Sequence, residues 1–301
     1  MSEEKNHRKT AIAKTKRQQS FKRSIIFFGV IITILLAMIF FQDVQLGNSA
    51  PNNGEIWVHY IDVGQGDSIL IRSAENAVLI DGGTAAASNN VVYYLEELGI
   101  TTLDYVVATH PHSDHIGGLS AVFDRFTVRE LWLPDVTQDT NTFERFLDAA
   151  LRNNIEVTTV LAGDLLSAGK IQMTAVAPNA NFYANTNDYS IVLHMQHGNT
   201  AFLFTGDAEE LSENEIIVAG FNISANVLKV GHHGSTTSSS TAFLDAVNPN
   251  VAVIQVGAGN QFGHPNWRIM ERLEERGIEV FRTDELGNIV IITDGNSIYL
   301  Y

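Results

Sequence analysis

Cysteine is absent from the 301-residue chain. That excludes disulfides, a thiolate metal site and a lipid-modified cysteine anchor. It does not fix the compartment, since proteins on either side of a membrane can do without the residue. Basic charge is scarce too, and much of it sits at one end. Lys and Arg number 19 against 34 Asp and Glu. Eight of the former but only Glu3 and Glu4 of the latter fall in residues 1–41, leaving 11 against 32, a formal charge of −21, on the remainder. So acidic a surface repels polyanions, and strong binding of duplex DNA through its phosphates is not expected. Solubility of an exported domain is the plainer use of such acidity. Hydrophobic residues make up 45%, ample for a sizeable core.

One long apolar run is present. Ser24 to Phe41, SIIFFGVIITILLAMIFF, has 18 residues and no charge, near the lower end of the roughly 17–25 that cross a bilayer as a helix. Lys5, Arg8, Lys9, Lys14, Lys16, Arg17, Lys22 and Arg23 precede it, which sets the amino terminus inside and the rest outside. A cleaved signal peptide has a shorter apolar region, roughly 7–15 residues, ending in a small-x-small site. The candidate here, Asn48-Ser49-Ala50, has Asn at a small position and Pro51 behind it. The expectation is a basic cytoplasmic tail over 1–23, a single-pass signal anchor over 24–41 and a polar linker over 42–54. Residues 55–301 then form one domain outside the cytoplasm at the cell membrane, or secreted if the anchor is cleaved.

Beyond the linker, short β-branched and aromatic runs alternate with helical spacing, an α+β pattern. Strands are expected at 56–62, 68–72, 77–80, 105–108, 129–133, 155–160, 171–176, 190–196, 201–204, 227–230, 251–256, 279–281, 289–293 and 297–300. Helices are expected at 91–98, 119–126, 142–153, 209–218 and 266–276. The Asn-rich stretch between Val176 and Ser190 lacks periodicity and reads as a functional rim or a mobile flap. Two strands end in matching acidic turns, AVLIDGG and AFLFTGD, as a duplicated β-rich unit would.

The densest chemistry is THPHSDHIGG, Thr109 to Gly118, which places His110, His112, Asp114 and His115 within six residues after an apolar strand. His and Asp are rarely buried without partners, and imidazole with carboxylate is the ligand set of zinc and its first-row neighbours. A metal site is expected there. Asp207, at a strand end after Gly206, can either bridge two cations or cap the helix that follows. Gly231-His232-His233-Gly234 again puts imidazoles directly after a strand, one for a metal and the other for substrate. Asp81 either orients a metal-binding histidine through its ring N–H or serves a simple turn.

Taken together, THPHSDHIGG, Asp81, Asp207 and the His232/His233 pair resemble the HxHxDH signature and further motifs of the metallo-β-lactamase fold. More narrowly, DVGQGDSILI, LIDGG, LFTGD and LKVGHHGS resemble the extracytoplasmic metallo-β-lactamase-like domain of the competence protein ComEC and its stand-alone relatives, over about residues 55 to 300. The resemblance implies a four-layer αβ/βα sandwich with a binuclear site between two sheets. By resemblance, one metal takes His110 and His112, the other Asp114, His115 and His233 (or His232), and Asp207 bridges both. Asp114, His232 and His264, the last in the loop Gln261–Pro265, are the residues expected to take part in the reaction; His264 reads equally as a turn residue. Many members of the superfamily carry another metal-binding histidine roughly twenty residues before the bridging Asp. Here that region reads Asn185-Thr186-Asn187-Asp188-Tyr189, so the first metal is expected to have fewer protein ligands.

Two divalent ions are implied, with zinc expected and manganese open. The expected activity is hydrolysis of a phosphodiester, either single-stranded nucleic acid or a phosphorylated envelope component. The alternatives are hydrolysis of a carbon ester or a lactam, and a non-catalytic binding module on the same fold.

Overall fold

Period-two alternation along the strands sorts their side chains between interiors, and this sorting builds the fold. The structure, a computed structural model, describes residues 50–301. The tail, the expected anchor and most of the linker lie outside the described residues. Among those described, no helix is long and apolar enough to cross a membrane. The strands run β1 (Ile56–Tyr60), β2 (Ile69–Arg72), β3 (Ala77–Ile80), β4 (Thr102–Val107), β5 (Thr127–Leu133), β6 (Glu156–Thr159), β7 (Leu165–Ala168) and β8 (Ile171–Ala177). They continue as β9 (Val192–His197), β10 (Thr200–Phe204), β11 (Val227–Lys229), β12 (Val251–Ile254), β13 (Glu279–Arg282), β14 (Ile289–Thr293) and β15 (Ile298–Leu300).

One sheet has eight strands in the order β15-β14-β1-β2-β3-β4-β5-β6, and the other has seven in the order β13-β12-β11-β10-β9-β8-β7. On β1, β2 and β3, Ile56, Val58, Tyr60, Ile69, Ile71, Val78 and Ile80 meet Leu193, Met195, Phe202 and Phe204 of the facing sheet. Their neighbours Leu70 and Leu79 turn outward onto the helices Ser88–Glu97, Leu119–Arg125 and Asn141–Arg152. Ala201, Leu203 and Leu228 likewise face the helices Glu210–Ala219, Thr241–Val247 and Trp267–Glu275. The layers are therefore helix, sheet, sheet, helix, as the resemblance implies.

Each sheet contains a parallel stretch, β3-β4-β5-β6 in one and β10-β11-β12-β13 in the other. In open α/β sheets, ligands gather beyond the carboxyl ends of parallel strands. Here the segments following β3, β4, β10 and β11 carry Asp81, His110, Asp207 and the His232/His233 pair. The matched turns AVLIDGG and AFLFTGD terminate β3 and β10, one in each sheet.

Some features escaped the pattern. β7 is short and half exposed, and pairs with β8 in a tight hairpin. Short helical turns form at Thr186–Tyr189 and Thr283–Leu286. The stretch between Val176 and Ser190 is packed rather than a free flap, with Tyr183, Asn187, Asp188 and Tyr189 all buried. The Tyr183 hydroxyl accepts from the backbone N–H of Asn179 and Ala180, and Tyr189 accepts from the N–H of Tyr183. Aromatic hydroxyls thus replace the missing periodicity as the stretch's internal scaffold.

Candidate metal centre

Three sequence motifs interlock backbone to backbone before any side chain enters the site. The Gly82 N–H donates to the His115 carbonyl at 2.7 Å, the Gly118 N–H to Gly83 at 3.0 Å, and the Asp67 N–H to Asp114 at 3.2 Å. The approach is so close that a Cβ at Gly118 would collide with the Gly82 carbonyl oxygen, and one at Gly66 with that of Asp114. THPHSDHIGG, LIDGG and DVGQGD are therefore parts of one structure.

Each buried imidazole is turned by its Nδ1. His115 Nδ1 lies 2.8 Å from Asp81 Oδ2, while Asp81 also accepts from the Thr109 N–H at 2.8 Å and the Thr109 hydroxyl at 2.7 Å. His233 Nδ1 lies 3.0 Å from the Gln255 carbonyl, and Gln255 in turn donates to the carbonyls of Ile61 and Ser68 in the connection between β1 and β2. His110 Nδ1 faces the hydroxyls of Thr109 at 3.2 Å and Ser190 at 3.3 Å. With Nδ1 engaged, each ring presents Nε2 to the cluster, the arrangement that fixes ligand orientation in metal sites.

What those nitrogens meet is a set of carboxylates. His115 Nε2 is 3.3 Å from Asp207 Oδ2, and His233 Nε2 is 3.3 Å from Asp114 Oδ2 and 3.7 Å from Asp207 Oδ1. His110 Nε2 lies 3.0 Å from His112 Nδ1 and 3.8 Å from Asp207 Oδ2. Ligands of one tetrahedral zinc at Zn–N distances of about 2.0 Å stand about 3.3 Å apart, so these spacings suit shared ligation. Asp114, His115, Asp207 and His233 form one group whose donor atoms converge within 4.8 Å; His110, His112 and Asp207 form a second. Asp207 belongs to both.

The donor set also passes a test of satisfaction. His115 Nε2, His233 Nε2 and Asp207 Oδ1 are buried with no hydrogen-bond partner. Orphaned buried polar atoms cost about 1–3 kcal/mol each, and a cation bound between them removes that cost. Electrostatics point the same way. Burial alone would depress His115 and His233, but the Asp207 carboxylate, with Asp81 and Asp114 around His115 and Asp67 beside His233, overrides it. His115 is raised well above the ordinary imidazole range and His233 to about 10. Burial would raise Asp207 and Asp114, yet the same imidazoles hold both carboxyls below their usual range. His110, dominated by burial and then by the neighbouring His115, falls well below its ordinary value. Protons on the rings stand where divalent charge fits.

The adjacent histidines part company. His233 is 1% exposed and faces the carboxylates. The His232 side chain is 24% exposed, with Nε2 3.7 Å from Asp207 Oδ2 and Nδ1 3.0 Å from the Thr237 hydroxyl and 3.3 Å from Glu209 Oε1. Both adopt left-handed backbone, His232 at φ 49° and His233 at φ 53°, an arrangement costing on the order of 1–3 kcal/mol per residue and concentrated at functional sites. His264 is half-buried, its ring centroid 5.7 Å from that of His232. Asp207 is not a helix cap, because the following helix begins at Glu210 with Glu209 before it. His194 lies in β9 with Nε2 bonded to the Ser224 carbonyl, away from the cluster.

Several participants were not singled out from the sequence. Asp67 lies 3.3 Å from His233 Nδ1 and 2.6 Å from Nζ of Lys229, a lysine with no exposed surface. A lone lysine inside the apolar run Val227–Val230 was the available signal. Glu209 is fixed by Asn185 Nδ2 at 2.7 Å and Asn187 Nδ2 at 2.8 Å. In the stretch that has no histidine, Ser190 contacts His110 and accepts the Asp207 N–H at 3.1 Å.

The family model described as the metallo-beta-lactamase superfamily matches residues 61–257. The chain is 30% identical over 290 residues to ComE operon protein 3 of Bacillus subtilis, covering 90% of this chain and 36% of that protein. It is 34% identical over 241 residues to competence protein ComA of Neisseria gonorrhoeae, covering 79% of this chain and 32% of that one. The chain thus spans about a third of the length of these curated relatives. Among solved structures, YhfI from Bacillus subtilis, a metallo-beta-lactamase fold protein, superposes with a TM-score of 0.55 at 16% identity, covering 79% of this chain and 100% of that one.

Proposed function

The chain belongs to the metallo-β-lactamase superfamily, with ComEC-like relatives, and from that premise we propose that it is a binuclear metal-dependent phosphodiesterase. The observation that carries the reading is the sharing of Asp207 between two ligand groups. His110 and His112 would hold one ion, Asp114, His115 and His233 the other, with Asp207 between them; zinc is expected and manganese is the alternative. Bound there, two divalent ions supply an acidified water and neutralise charge on a phosphoryl oxygen.

The chain's own residues complete the chemistry. His232, partly open to solvent beside Asp207, hydrogen-bonds a non-bridging oxygen or hands a proton to the leaving group. Glu209 and Thr237 hold its Nδ1 and so keep Nε2 turned toward the cluster. His264 stands next to it as a contact for the substrate. Ser190 and Thr109 fix the His110 ring, and the Asn185–Asn187 segment braces Glu209, so the stretch without a histidine serves orientation. The anionic diester suits paired cations, and the formal charge of −21 beyond residue 41 disfavours duplex polyanions. Single-stranded nucleic acid and a phosphorylated envelope component are the two substrate classes that fit this reading.

The apolar run at residues 24–41 supports a membrane-anchored protein whose hydrolase domain lies outside the cytoplasm. Parallel assays of bis-p-nitrophenyl phosphate, a carboxylic ester and a β-lactam test the reaction class. Turnover of the phosphodiester is expected; turnover of the ester or lactam alone would overturn the proposal.

A further inference from the structure

The loop from Gly257 to Pro265 projects an aromatic side chain beside the candidate metal centre. Phe262 is 60% exposed. Its ring stacks on His264, with centroids 5.8 Å apart and planes 26° from parallel, and His264 meets His232 edge to face at 5.7 Å. His232 Nε2 in turn lies 3.7 Å from Asp207. A continuous series of rings thus leads from solvent to the bridging carboxylate.

The backbone that carries that ring is braced by hydrogen bonds. The Asn260 amide donates to the carbonyls of Gly257 at 2.9 Å and His264 at 2.6 Å, and its oxygen accepts from the N–H of Phe262 and of His264, both at 3.1 Å. At one end the Gly257 N–H donates to Gln65 Oε1 at 3.2 Å; at the other the Asn266 N–H donates to the Gly234 carbonyl at 2.9 Å. The loop is therefore tied both to the DVGQGD turn and to the His232/His233 turn. His264 Nδ1 is buried without a hydrogen-bond partner, so its ring is held by packing between Phe262 and His232. An exposed aromatic on a braced loop beside a candidate metal centre has the form of the stacking platforms that carry bases of single strands.

We propose that Phe262, backed by His264 and fixed by Asn260, is a stacking subsite for a nucleobase of the phosphodiester substrate. This rests on the phosphodiesterase reading and narrows its substrate class to single-stranded nucleic acid. Stacking on an aromatic is tolerant of base identity, because every base offers a flat face. It discriminates a nucleotide polymer from an envelope phosphoester that has no planar ring.

The test uses the full chain, its metals bound, with wild type, Phe262→Ala and Phe262→Trp. Binding is read by fluorescence anisotropy with a phosphorothioate oligothymidylate, which resists turnover, and with an abasic phosphorothioate of equal length. Turnover of bis-p-nitrophenyl phosphate is measured in parallel. Base stacking of the usual strength corresponds to about a 5- to 150-fold preference for the thymidylate. Wild type and Phe262→Trp are expected to show it, and Phe262→Ala to lose it while binding the abasic strand as before. Equal affinity of wild type for the two strands would overturn the subsite, as would unchanged preference in Phe262→Ala or equal weakening on both strands. Base preference lost in Phe262→Ala without any bis-p-nitrophenyl phosphate turnover would support the subsite and refute the phosphodiesterase reading; turnover without base preference would do the reverse.

Discussion

Lys229 Nζ lies 2.6 Å from Asp67 Oδ2, an ion pair between the two sheets with neither side chain more than 2% exposed. Lys229 ends β11, just before the His232/His233 turn, and Asp67 follows the turn after β1, with its other oxygen 3.3 Å from His233 Nδ1. The pair thus couples the joining of the sheets to the placement of a candidate metal ligand. Removing one partner of a buried pair strands the other charge at a cost of about 3–5 kcal/mol, whereas removing both costs much less. Lys229→Met and Asp67→Asn should each lower stability by about that amount, and the double variant should recover most of it. Urea unfolding of the four proteins checks this. Additive losses would show that the two residues act independently.

Asp207 belongs to both candidate ligand groups, so the two halves of the centre should differ in their sensitivity to substitution. Asp207→Ala is expected to strip both ions, Asp114→Ala the ion of the His115/His233 half, and His112→Ala the ion of the His110 half. Elemental analysis after dialysis at pH 7.5 reads the three ratios. Two equivalents retained by Asp207→Ala would remove its bridging role.

The metal-free protein should depend on pH in a defined direction. His115 and His233 are raised in the fold, His233 to about 10, so the native state binds more protons than the unfolded chain above about pH 6.5. Their stabilisation is complete below that value and is lost as pH climbs toward 10. Asp207 and Asp114 are depressed, so their stabilisation is complete above about pH 4 and lost in more acid solution. The unfolding midpoint of EDTA-treated protein should therefore fall between pH 6.5 and 10. Metal binding displaces the ring protons, and calorimetry in buffers of different ionisation enthalpy should register proton release at pH 7.5. A flat stability profile with no proton release would contradict the carboxylate–imidazole arrangement.

His232 is expected to act on substrate without holding metal. His232→Gln should keep both ions and lose about 10²–10⁴-fold in kcat. Glu209→Gln, which weakens the hold on Nδ1, should lose less while leaving metal content intact. Loss of an ion in His232→Gln, with normal content in His233→Gln, would reverse the roles of the pair.

Much of this centre was legible because its residues cluster in sequence where strands end. His110, His112, Asp114 and His115 announce themselves within one motif, and Asp207 and the His232/His233 turn each follow a buried run. The positions of most strands along the chain were legible too, through their β-branched and aromatic runs, whereas their order in the two sheets was not. The supporting residues were not, because their partners are distant in the chain. Asp67 meets Lys229 across 162 positions, and Glu209 meets Asn185 and Asn187 from a stretch that periodicity could only describe as irregular. That stretch is ordered by aromatic hydroxyls and amides, which leave no repeat to read. The choice between His232 and His233 turned on backbone direction at two left-handed residues, which composition does not encode.

Titration of EDTA-treated protein with a divalent metal, read as hydrolysis of bis-p-nitrophenyl phosphate, tests the binuclear phosphodiesterase most directly. Turnover should be absent without metal, rise to a plateau near two equivalents, and stay absent in Asp207→Ala. Full turnover without added metal, or a plateau at one equivalent that Asp207→Ala reproduces, would contradict it.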